Sequence, residues 1–122
     1  MNLRNHLEKN GIIVLTVPNK YNPLVYKYKL PEFKKFAYMK QHYFTFSEDA
    51  IKILAEDTNY QVKGFFYMQR YGLDNHLSWL RYKKPRNYSD MGEYISSKTM
   101  ESYEVDLIEN RLTDLMMFVL KK

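Results

Sequence analysis

The sequence contains no cysteine, which excludes disulfide frameworks and zinc-thiolate sites together. Glycine and proline are scarce, four of each, and the glycines at 11, 64, 72 and 92 stand too far apart to form a phosphate-cradling G-x-G loop. No apolar run approaches the ~20 residues of a membrane-spanning helix. The opening stretch MNLRNHLEKN lacks the apolar centre of a secretory signal. A cytoplasmic protein without membrane attachment is the expectation. The three histidines, at 6, 42 and 76, have no metal-ligand spacing, and neither a Ser-His-Asp nor a paired-carboxylate pattern is present.

Aromatic and basic residues are abundant instead. Twelve tyrosines bring the aromatic fraction to 16%, and the formal net charge is +5. That balance fits an anionic ligand, an acidic surface or a nucleic-acid partner, and equally a lysine-rich background without functional meaning. A length of 122 residues with 45% hydrophobic content supplies one core, hence a single domain over residues 1–122.

Along the chain, Leu3 and Leu7 lie four apart before Asn10-Gly11, predicting a helix over 2–9 that closes through a left-handed residue, with the sequence opening inside that element. The continuous apolar run at 12–17 predicts a strand buried on both faces, stopped by Pro18. Residues 20–44 have no clean period and read as a lid loop, with short helical pieces near Tyr26 and Phe36. Ser47 as N-cap, Glu48 and Asp49 behind it, and a Phe46–Ile51 staple predict a helix over 47–57. A strand follows over 60–68 with a weak point at Gly64, then a short helix carrying Leu77, Trp79 and Leu80. Helical spacing of Met100, Tyr103, Leu107 and Ile108 marks a helix over 99–112. Thr113-Asp114 is a turn, and an apolar strand over 115–121 closes the chain. The class is α/β.

Several of these segments are similar to one family. LEKNGIIVLTVPN, the Phe46-Ser47 helix with its following strand, the block QRYGLDNHLSWL at 69–80 and the acidic helix before LTDLMMFVL together resemble the later part of class I S-adenosylmethionine-dependent methyltransferases. The likeness covers nearly the whole chain. It departs from the family at Asn10, where a glycine is common, and in having neither the Gly-rich loop nor the acidic ribose-holding residue of the first strands. The resemblance therefore implies the C-terminal part of a Rossmann-like sheet, truncated before its cofactor side. It implies a three-stranded mixed sheet in which two parallel strands flank an antiparallel last strand. S-adenosylmethionine would belong to the complete enzyme and would not bind this chain tightly alone.

In that arrangement the strand ends near Asn19 and Gln69 meet on one edge, where open α/β sheets bind ligands. The candidate residues each carry two readings. His42 is a general base for an acceptor hydroxyl, or a surface histidine beside the helix cap. Asn19 binds substrate, or makes an Asx turn after Pro18. Arg70 holds an anionic group, or pairs with a carboxylate such as Asp74. Asn75 and His76 orient a polar substrate, or Asn75 caps a helix beginning at His76. Tyr21, Tyr43, Gln69 and Tyr71 complete the substrate-binding set. The expected partner is a polar small-molecule acceptor, with a second chain completing the sheet, or self-association through the exposed strand edge. Two rivals stand beside this reading. One is a nucleic-acid-binding module built on the lysines and rings of 20–43, although no sheet platform for stacking bases is visible. The other is one subunit of a split enzyme.

Overall fold

A computed structural model describes residues 3–38, 44–85 and 92–122. Among these residues three strands and five α-helices follow in the order β1 (Ile12–Pro18), α1 (Pro23–Tyr26), α2 (Pro31–Ala37), α3 (Glu48–Asp57), β2 (Gln61–Met68), α4 (Leu73–Tyr82), α5 (Ser97–Glu109) and β3 (Leu115–Lys121), with 3-10 turns at Leu3–His6 and Gly92–Tyr94.

The α/β class holds, and the last strand lies in the middle of the sheet, in the order β1-β3-β2. The mixed sheet does not. Both hydrogen-bonded pairs, β1 with β3 and β2 with β3, are antiparallel, and among the described residues the parallel contact is a single bridge outside the strands, Asn19 with Phe46. The reason is topological: β3 occupies both inner edges, so β1 and β2 point the same way without sharing a bond. Pro18 and Met68 both register with Leu115. The two outer strands therefore end on either side of the start of β3. A register shift between Val62 and Gly64 places a bulge in β2 at the expected weak point.

One face of the sheet carries the core. Met116, Phe118 and Leu120 alternate inward along β3 and meet Ile51 and Ala55 of α3, flanked by Ile13, Val17, Val62 and Phe65. The other face carries Ile12 and Val14 (55% and 51% exposed) beside Phe66 and Met68 (52% and 43%). Burial of β1 on both faces is thus corrected: among the described residues nothing covers its second face, and its outer edge is met at its end, where the Pro18 carbonyl accepts from Phe46 N at 3.0 Å and the Phe46 carbonyl from Lys20 N at 2.9 Å. A continuous apolar run reads alike whether one face is covered or two.

Local sequence explains most element ends. The Ser47 hydroxyl accepts from the Ala50 N–H at 3.3 Å, capping α3 as expected, with Phe46 and Ile51 in one cluster. The helix expected over 2–9 shrinks to the Leu3–His6 turn, which has no buried residue. Packing, rather than propensity, sustains short helices. The helix expected over 99–112 starts two residues earlier, at Ser97, because Ser96 caps it through Thr99 N. It ends at Glu109, and Arg111 takes a left-handed φ of 58°.

The segment at 20–44 is not a bare loop. Pro23 and Pro31 each open a helix at the first turn, where a missing N–H goes unnoticed. Leu24, Leu30 and Phe33 then bury themselves with Trp79 of α4 in a second small core, Phe33 meeting the indole edge-on at 4.9 Å. The described part of the expected lid is therefore a helical hairpin docked on α4.

Candidate functional site

The outer strands bring Asn19 and Gln69 to the two sides of Asp114, and that aspartate organises everything around it. Its Oδ2 accepts from Gln69 Nε2 at 3.0 Å, from Arg70 N at 3.2 Å and from Tyr71 N at 3.0 Å. Its Oδ1 accepts from Asn22 Nδ2 at 2.7 Å and lies 3.8 Å from His76 Nε2. Gln69 returns the contact, its Oε1 accepting from the Asp114 N–H at 3.0 Å, while the Asp114 carbonyl accepts from Asn19 N at 2.9 Å. One carboxylate thus ties the exits of β1 and β2 and the entry of β3 into a single ledge.

Asn19 is buried, and both halves of its amide are used. Oδ1 accepts from Tyr21 N at 3.0 Å, forming an Asx turn, and Nδ2 donates to the Arg111 carbonyl at 2.9 Å. Asn22 extends the same logic: its Oδ1 caps α1 through Leu24 N at 2.9 Å while its Nδ2 holds Asp114. Gln69 also donates to the Tyr71 carbonyl at 2.6 Å, so both protons of its amide are engaged.

His76 sits inside α4, not at its start. Gly72 is the N-cap, its carbonyl accepting from His76 N, and Asn75 is a half-buried residue of the first turn rather than a cap. The imidazole is only 2% exposed. Its Nδ1 lies 2.8 Å from the Tyr103 hydroxyl, and Nε2 faces the Gln69 amide nitrogen at 3.5 Å as well as the Asp114 carboxylate. With both Gln69 protons committed elsewhere, the network assigns the ring proton to Nε2, toward Asp114, and leaves Nδ1 to accept from Tyr103 O–H. Burial, with nearby Tyr28 and Asp114 adding to it, pushes the Tyr103 phenol up to about 12. It stays protonated near neutrality and holds the imidazole in place. Carboxylate, imidazole and phenol form a closed chain from β3 through α4 to α5.

The ledge's outward groups are Arg70 and Tyr71, both exposed; Tyr21, which follows β1, packs its ring edge-on against Tyr26 at 5.0 Å. No carboxylate pairs with the Arg70 side chain among the described residues, so the expected Asp74 partner is not made. His42 and Tyr43 lie outside the described residues. Asp114 was legible only as a turn residue. The signal that marks it is positional: an aspartate one residue before an apolar strand can turn its carboxylate back onto the neighbouring strand ends.

Among the described residues no cluster of three His, Asp or Glu side chains is placed to hold a metal ion. Nor does any glycine form a ligand cradle. None has a positive φ, and a Cβ added at Gly11, Gly72 or Gly92 would meet Leu7, Asp74 or Met100, all parts of the protein's own packing. Comparison with known families, characterised proteins and solved structures finds no match to this chain.

Proposed function

We propose that the chain is the substrate-side, C-terminal portion of a class I methyltransferase domain, with a Rossmann-like parent sheet, acting on a polar small molecule. The observation that carries this reading is the convergence of the β1 and β2 ends on the Asp114 ledge around a central, oppositely directed last strand. A ligand edge of an open α/β sheet lies at such strand ends. The residue likeness at 7–19, 46–67, 69–80 and 101–120 points the same way.

The described residues do not fit S-adenosylmethionine. No glycine here leaves room for a nucleoside to approach the backbone, so no cofactor step is assigned to this chain. Its own contribution is acceptor placement. Asp114 clamps the backbone at Arg70 and Tyr71, which fixes a guanidinium and a phenol at the rim; Asn19, Gln69 and His76 serve as the frame behind them. Such positioning is the protein's main task when a reactive cofactor supplies the chemistry. The cofactor half would come from a second chain or from the longer protein of which this is a part.

Calorimetric titration tests both halves of the proposal. The 122-residue chain alone is expected to give no binding heat with S-adenosylmethionine or S-adenosylhomocysteine up to ~1 mM, a limit near −4 kcal/mol. Joined to a strand–Gly-rich loop–helix half of a methyltransferase, it is expected to restore cofactor binding and transfer of a labelled methyl group. Tight stoichiometric binding by the chain alone contradicts the partial-domain reading. A completed domain that never binds cofactor contradicts the methyltransferase reading.

A further inference from the structure

The sheet has two outer edges, and they are not alike. β2 carries an exposed lysine, Lys63, inside a bulge that shifts the register between Val62 and Gly64. A charge and a bulge are common means of keeping an edge strand from pairing with another chain. β1 has neither. Its sequence, IIVLTVP, is uncharged, and its pairing with β3 runs without a shift from Ile12 to Pro18.

The hydrogen bonds fix which backbone groups the β1 edge offers. The Gly11 carbonyl accepts from Lys122 N at 3.3 Å, and Asn19 N donates to the Asp114 carbonyl at 2.9 Å, so the odd-numbered residues face β3. Alternation along an antiparallel pair turns the even-numbered ones outward. Pro18 agrees with this, since its carbonyl accepts from Phe46 N on the side away from β3. Phe46 therefore closes the edge at Pro18. Upstream of it, the N–H and C=O groups of Ile12, Val14 and Thr16 face outward with no strand partner among the described residues.

We infer that this edge pairs with the same edge of a second copy, antiparallel, with Val14 on the two-fold axis. The open length is residues 12–16, and centring the pair on Val14 sets Ile12 opposite the partner's Thr16 and Val14 opposite the partner's Val14. Every pair is then of the kind that exchanges two hydrogen bonds, so each outward N–H and C=O is satisfied. Slipping the register by two residues carries Ile12 to the partner's Pro18, whose carbonyl is already taken by Phe46. A self-complementary edge of this kind is what a two-fold dimer requires. Each copy has a net charge of +5, yet the strand brings no charge to the contact and sets β-branched side chains against each other across it. The edge is roughly 17 Å long at ~3.4 Å per residue, short for a standard interface of ~1,200–2,000 Å², so the dimer is reversible. The inference does not rest on the methyl-transfer reading, in which a further strand would take the same edge.

The test is sedimentation velocity of the full chain from ~10 μM to ~1 mM, with amide hydrogen exchange at both ends of that range. A monomer–dimer equilibrium is expected. Exchange at the Ile12, Val14 and Thr16 N–H groups should slow at least ~tenfold with concentration, while Ile13 and Leu15, already facing β3, stay as they are. Val14→Pro removes an outward N–H that the monomer does not use, as edge strands tolerate, and is expected to weaken dimerisation at least ~tenfold. Val14→Lys is expected to do the same, and it carries the test if the proline variant does not fold by circular dichroism. Phe66→Lys puts the same charge on the same sheet face, but on β2, and is expected to leave dimerisation unchanged. A chain that stays monomeric throughout overturns the proposal and leaves the edge to a strand of a longer protein. Phe66→Lys weakening association as much as Val14→Lys overturns it in favour of face-to-face stacking. Open-ended oligomers, or exchange that slows along β2 instead of β1, overturn it as well.

Discussion

Replacing Asp114 by asparagine separates the ledge's geometry from its charge. The new amide has one oxygen to offer, and three donors converge on Oδ2, from Gln69, Arg70 and Tyr71. The stable orientation gives them that oxygen and turns the NH₂ group toward Asn22 Nδ2, which stood 2.7 Å from a carboxylate oxygen. Two donors then face each other and the buried Asn22 amide loses its partner, at about 1–3 kcal/mol. The three retained bonds lose their charge assistance; with two donors at exposed residues, water offsets part of that, leaving roughly 1 kcal/mol more. The sum is about 3 kcal/mol, a large fraction of the ~5–15 kcal/mol that holds a typical domain folded. For a chain of this size it corresponds to a fall in Tm of roughly 12 °C.

Urea unfolding followed by far-ultraviolet circular dichroism and by the fluorescence of Trp79 gives the stability change. Amide hydrogen exchange locates it, because Arg70 and Tyr71 N–H should lose protection while amides in the middle of β3 follow only the global change. A D114N protein within about 1 kcal/mol of the parent, with Arg70 and Tyr71 still protected, refutes the view that the carboxylate organises these strand ends. Loss confined to α1, through Asn22 alone, would refute it too.

Two further perturbations probe separate parts of the molecule. The Tyr103 phenol has its pKa raised to about 12, mainly by burial, so the folded chain retains a proton that the unfolded chain gives up near pH 10; stability should be flat below that and fall between pH 10 and 12. Tyr103→Phe should lessen this fall in urea midpoints measured from pH 9 to 12, the remainder belonging to Tyr67, whose phenol burial and Glu48 also push up, and should remove an ionisation step near pH 12 from the absorbance titration at 295 nm; an unchanged profile would count against the buried phenol. On the uncovered sheet face, Val14 is 51% exposed on an uncharged outer strand whose far edge, up to the Phe46 contact at Pro18, has no strand partner among the described residues, the kind of edge that self-associates. The parent chain should therefore show concentration-dependent association in sedimentation velocity and Val14→Lys should reduce it, whereas a parent that stays monomeric at high concentration would sink the idea.

What could be read from the sequence followed from local rules. Ser47 with Glu48 and Asp49 announced α3 because a cap and a charged first turn act within one helical turn. The apolar run at Leu115 gave β3 its bounds to the residue. What could not be read depended on where distant segments meet. Pro23 and Pro31 break a helix or begin one according to what precedes them and whether the new turn finds something to pack on, and Trp79, more than forty residues away, supplies that surface. Propensity contains no information about such a partner.

The same distinction decides the candidate residues. Asn19, Gln69 and His76 stood out because polar groups at strand ends mark ligand sites, and the structure brings them together. Yet polar groups at converging strand ends also have a prior obligation: the backbone N–H groups leaving each strand need acceptors once the ladder stops. Asp114 meets that need for Arg70 and Tyr71, and Asn19 meets it for Tyr21. A residue committed to backbone in this way has little left to offer a ligand, so recognition falls to the neighbours it holds in place. The groups that could touch a ligand at the ledge are therefore its exposed members, Arg70 and Tyr71. Double-mutant cycles separate the two roles: Gln69 and Asp114 should couple strongly in stability, while Arg70→Ala should leave stability within about 0.5 kcal/mol, as exposed substitutions do. Strong destabilisation by Arg70→Ala would mean that the guanidinium belongs to the frame, and the ledge would lose its cationic contact for an acceptor.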